Sequence, residues 1–61
     1  MNTVRSIRRL KDLTQYDLWK KTRIPQSSIS LIERGFISPN EKSKKKISKA
    51  LGVRIEEVFP S

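Results

Sequence analysis

The sequence predicts an all-α fold, a compact bundle of five short helices, on three observations. Apolar residues recur at three-residue and four-residue steps, the period of a helix. Residues that start or stop helices, among them Thr14, Pro25, Gly35, Pro39, Gly52 and Pro60, divide the chain at short intervals. With 61 residues and no Cys, neither a disulfide nor a thiolate-held metal can compensate for a thin core, so a few well-placed aliphatic side chains must carry stability.

Val4, Ile7 and Leu10 form an apolar stripe that predicts a first helix over residues 4 to 11, broken at Lys11 and Asp12, after which Leu13 turns back to the core. Thr14 is a good N-cap, and Asp17 follows at the third helical position, where the helix dipole favours an acid. The second helix then runs over residues 15 to 21. Ile24-Pro25 ends that stretch, because a residue before proline is pushed out of the α region, while Pro25 itself suits the first turn of a third helix ending at 34. Gly35 supplies the left-handed residue after it. Ser38-Pro39-Asn40-Glu41 reads as a capping box, with Ser38 as cap and Pro39 first in a fourth helix that Gly52 ends. Val53, Ile55, Val58 and Phe59 leave room for one last short turn before Pro60. No repeat, linker or Pro/Ser/Gly-rich tract interrupts the chain, which reads as one domain over residues 1–61.

The charge is lopsided: 14 Lys and Arg face 6 Asp and Glu, a formal charge of +8, with a sequence pI near 10.5. So many like charges on so short a chain repel one another unless a polyanion partner makes them useful, and nucleic acid is the common one. Absence of Cys, and an N-terminus carrying Arg5, Arg8 and Arg9 rather than an apolar run, point to the cytoplasm.

Only residues 22 to 24 separate the second and third helices, and so short a link favours a steep crossing, the helix-turn-helix geometry. On the third helix Ile29 and Ile32 share one side, whereas Ser27, Ser30, Leu31 and Arg34 share the other. That outer face is short and polar enough to approach a surface closely. A Leu placed there has no core to fill, since Ile29 and Ile32 already supply one; the alternative is an idle exposed side chain. Gln26 and Ser27 sit at the helix start, where N-terminal capping is their alternative role.

With these residues in place the chain resembles the Cro/repressor-type (XRE) helix-turn-helix family. The resemblance rests on Thr14-Gln15 with Leu18, Ile29-Ser30 with Ile32-Glu33-Arg34-Gly35, and Ala50-Leu51-Gly52-Val53, and runs without a gap from about Val4 to Phe59. It implies a lambda-repressor-like bundle whose third helix lies in the major groove of double-stranded DNA while the second crosses the backbone. By position, Gln26, Ser27, Ser30 and Leu31 would face base edges, and Gln15, Arg34 and Lys42 would meet phosphates. The chemistry agrees: a Gln amide matches the adenine edge, a Ser hydroxyl suits donors or acceptors, and an aliphatic group covers a thymine methyl. In the family a Glu at position 33 pairs with an Arg of the first helix, here Arg8, in a structural bridge. The resemblance further implies a transcriptional regulator, a repressor by family habit, acting as a homodimer on half-sites about one helical turn apart. Ile55, Val58 and Phe59 are the apolar patch on which the dimer would rest, the alternative being that part of it belongs to the core.

Lys42, Lys45, Lys46 and Lys49 share one face of the fourth helix, either a solvated face or a phosphate track, while Lys44 lies on the apolar side and must snorkel. Three residues depart from the family pattern. Trp19 stands where a small residue, usually Ala, is found between the second and third helices. Arg23 replaces the usual turn Gly and accepts about 1 kcal/mol of left-handed strain. Thr22 replaces an apolar residue.

Other functions find little support. Without His or Cys no Ser-His-Asp triad and no zinc site can be assembled. Glu56 and Glu57 are neighbours that point different ways, poor geometry for acid/base work, so no enzyme is expected. No cofactor, metal, small-molecule ligand or membrane partner is expected either, the fourth helix having too few bulky apolar residues for a membrane surface. The alternative is the same fold used as a protein-interaction adaptor or antitoxin-like module.

Overall fold

Capping side chains or a proline begin the three central helices of this chain, and left-handed residues end most of its helices. The computed structural model describes residues 2–60, which form α1 (Val4–Leu10), α2 (Gln15–Thr22), α3 (Gln26–Glu33), α4 (Glu41–Leu51) and α5 (Ile55–Val58). No strand occurs among the described residues. The fold class is thus the all-α bundle that the sequence predicts, with helix ends displaced by one or two residues at most.

The start of α2 is a complete capping box. Thr14 Oγ1 accepts the Asp17 backbone N–H at 3.0 Å, and the Asp17 carboxylate accepts the Thr14 N–H at 2.9 Å. These bonds hold Asp17 below its ordinary carboxylate pKa of 3.8. Thr14→Ala is therefore expected to cost about 1 kcal/mol, read as a melting-temperature fall of about 4–8 °C.

At α4 the cap is Asn40, not Ser38. The Asn40 side-chain oxygen accepts the Ser43 N–H at 2.8 Å, so the helix starts at Glu41 and Pro39 stays outside it. Asn ranks with Ser as an N-cap, and either choice leaves Glu41 in the first turn, so the residue pattern does not separate them. Gly35 at φ 79° and Gly52 at φ 73° provide the left-handed ends of α3 and α4. Asp12 does the same after α1 at φ 57°, tolerable because an Asp side chain suits that region.

Every helix contributes to one core of Val4, Leu18, Ile29, Ile32, Ile47, Leu51 and Val58, each at most 2 % exposed. Around it pack Ile7, Leu13, Trp19, Ile24, Ala50, Val53 and Phe59. α2 lies between α3 and α4 and packs on both, with α1 against α3 and α5 against α4. Two N-terminal side chains stitch the ends together: the Asn2 amide donates to the Ile32 carbonyl at 2.8 Å, and the Thr3 hydroxyl to the Glu57 carbonyl at 2.8 Å.

One sequence expectation fails here, and one open alternative is decided. Leu10 is 82 % exposed, because a stripe begun at Val4 continues at three and four residues, through Ile7 and Arg8, and the sixth position turns away. Arg8 is therefore the inward residue. The supposed dimer patch is also largely interior: Val58 is fully buried, Phe59 packs against the core and Ile55 is half-buried. Among the described residues no helix is long and apolar enough to cross a membrane.

Candidate nucleic-acid interface

α3 is anchored from behind by Ile29 and Ile32, which are buried, and it turns Gln26, Ser27 and Arg34 to solvent. Ser30 and Leu31 are half-buried on its flanks, and Leu31 is not part of the core. Pro25 occupies the N-cap and offers no capping side chain, so neither Gln26 nor Ser27 is spent on holding the helix start. Their amide and hydroxyl remain available to an outside partner.

What fixes the orientation of this helix is Glu33, whose side chain is wholly inaccessible. Arg8 Nε donates to one carboxylate oxygen at 2.7 Å, and the Arg8 guanidinium reaches the other at 3.4 Å. Arg5 Nε approaches that second oxygen at 3.4 Å and Gln15 Nε2 donates to it at 3.1 Å. Arg8 also donates to the Leu13 carbonyl at 2.8 Å. One carboxylate thus joins α1, the start of α2 and the end of α3. Burial pushes the Glu33 carboxyl upward, but the bonds from Arg8 and Gln15, the Arg8 charge and the Arg5 contact outweigh it, so it titrates below its ordinary 4.5.

Gln15 has one amide N–H committed to Glu33, which leaves its second N–H and its oxygen lone pairs for another contact. Arg34, just past α3, stacks its guanidinium 5.0 Å above the Phe36 ring, and Phe36 is otherwise 69 % exposed. This ring restrains the cation without neutralising it. Lys42, Lys45, Lys46 and Lys49 are all exposed along α4, whereas Lys44 is half-buried, pairs with Glu41 at 3.8 Å and lies 5.7 Å over Phe59. The snorkelling expected of Lys44 is what the structure shows.

A helix-turn-helix family model matches residues 4–58. The chain belongs to the XRE-type helix-turn-helix family. It is also similar to a protein of Methanocaldococcus jannaschii described as an uncharacterized HTH-type transcriptional regulator, at 41 % identity over 58 residues, covering 95 % of this chain and 88 % of the relative.

The three departures from the helix-turn-helix pattern all meet at the turn. Trp19 does not enter an alanine-sized gap. It lies half-buried across α2, 5.5 Å from the Tyr16 ring, with the Arg23 guanidinium 5.3 Å over it. Arg23 has φ 63° and ψ 18°, the left-handed conformation a glycine would adopt without strain. Thr22 is buried, its hydroxyl donating to the Leu18 carbonyl at 2.7 Å and accepting the Ile24 N–H at 3.1 Å. That hydroxyl closes α2 and opens the turn at once. Thr22→Val, which keeps the shape and removes both bonds, is expected to cost about 1–2 kcal/mol, measurable by urea denaturation.

Arg5, Asn2 and Phe36 are the site residues that sequence reasoning misses. Arg5 was discoverable, because it lies three residues before Arg8 on the same side of α1. The other two depend on chain segments brought together only by folding.

Proposed function

We propose that this chain is a sequence-specific double-stranded DNA-binding domain of a transcriptional regulator, a repressor acting in the cytoplasm. The observation that carries this reading is α3 itself, rigidly backed by Ile29, Ile32 and the Glu33 network while its polar side stays open. α3 enters the major groove, with Gln26, Ser27, Ser30 and Leu31 against base edges. Gln15, Arg34 and Lys42 meet phosphates, where unneutralised cations add affinity and flank the reading helix. The relative's description as a transcriptional regulator and the net charge of +8 support the same reading.

Two copies bind half-sites about one helical turn apart. Because Val58 is interior, the pairing surface must lie elsewhere than on α5 alone. Sedimentation on a duplex that the protein has selected gives two chains per duplex, and one chain per duplex overturns the pairing.

A salt series tests the DNA reading itself. The logarithm of affinity should fall steeply and linearly with the logarithm of salt concentration on any duplex, while the preference for the selected sequence persists. A flat salt response would refute it.

A further inference from the structure

Between the end of α2 and α4 lies a groove of about 440 Å³ lined by Lys21, Thr22, Arg23, Lys46, Lys49 and Ala50. Lys21 and Arg23 stand on the α2 side and Lys46 and Lys49 on the α4 side, with no acidic residue among them. Among the described residues, none of these four cations makes an ion pair. The floor is more apolar than polar, with Ala50 and the nearly buried Thr22, whose hydroxyl is already committed to Leu18 and Ile24. No residue of α3, the helix assigned to the major groove, lines this groove.

We infer that this groove is a docking site for an acidic, amphipathic segment of a partner protein. The two pairs of cations call for an anionic ligand, since gathered like charges gain from one even though Lys21 already acts on Asp17 one turn back on α2 and Arg23 lies over the Trp19 ring. The apolar floor then decides which anion. A phosphate backbone offers nothing to bury there, whereas a peptide that places Leu between Asp or Glu residues fills the floor and meets both walls. Because no α3 residue lines the groove, the segment can bind while α3 holds DNA. This last feature rests on the DNA reading; occupation of the groove does not.

The test is an NMR titration of the full chain with a short peptide alternating Glu and Leu, with polyglutamate alongside, in the absence and presence of the selected duplex. The expected result is saturable shifts confined to the amides of residues 21 to 23 and 46 to 50, stronger for the Glu/Leu peptide than for polyglutamate and retained with duplex bound. Lys46→Glu with Lys49→Glu should weaken peptide binding at least about tenfold. Lys46→Gln with Lys49→Gln, a milder pair on exposed positions, should weaken it less and leave the melting temperature unchanged. Equal binding of polyglutamate would show bare charge attraction and overturn the proposal. So would peptide that fails to saturate, or duplex that shifts these same amides and displaces the peptide, which would assign the groove to DNA. Failure of the duplex to bind at all, with the peptide result intact, would count against the DNA reading and not against the groove.

Discussion

Replacing Glu33 by Gln is expected to lower stability by about 3 kcal/mol, a fall in melting temperature of more than about 10 °C. The reason is what remains behind. Arg8 is buried and would keep its full charge with no carboxylate against it, while the new amide N–H groups would face the donors of Arg8 and Gln15. A domain of this length has only about 3–9 kcal/mol in total, so the loss approaches unfolding. Substituting both partners with apolar residues of similar volume should recover much of it, because the pair itself has high desolvation costs. A double-mutant cycle on positions 8 and 33 measures the coupling.

The same group makes stability depend on pH in a defined direction. Its folded pKa lies below the ordinary 4.5, so the unfolded chain binds the proton more readily. Its contribution is complete above the unfolded value and is lost as pH falls through the folded one. Denaturation curves should steepen with acid below about pH 4.5 in the native chain, and this part of the slope should vanish in Glu33→Gln.

Gln26→Ala should reduce affinity for the selected duplex by about 5- to 150-fold, or about 1–3 kcal/mol, without changing the melting temperature. Gln26 is exposed, makes no capping bond and sits at the N-terminal end of α3. Because a Gln amide discriminates by pairing with one base, the loss should be confined to one position of each half-site. Equal weakening on every duplex would make Gln26 a backbone contact instead. Competition binding on a set of single-position variants of the duplex separates the two.

The all-α architecture was legible in the residues because local signals agree: Thr14 with Asp17, Pro25, Gly35 and Gly52 each act within a few positions of themselves. Where two signals compete at short range, as Ser38 and Asn40 do, pattern alone cannot choose. Leu10 was misplaced because three-residue steps were followed where the helix turns by 3.6, and Arg8, a charged residue, holds the inward position only because Glu33 waits there. The patch on α5 could not be divided between core and surface, because nothing local shows that α5 packs on α4 and that Thr3 bonds over its end. The candidate site follows the same division. Which side of α3 faces out could be read from Ile29 and Ile32, but the apolar cationic groove beside Lys46 needs α2 and α4 side by side.

The most direct measurement is selection from a random duplex pool, run in parallel with the native chain and with a variant in which Ser27 and Leu31 are replaced by other residues compatible with an exposed helix. The native chain should return one motif, and the variant a different motif with the half-site spacing unchanged. An identical motif from both would mean that this side of α3 does not read the bases.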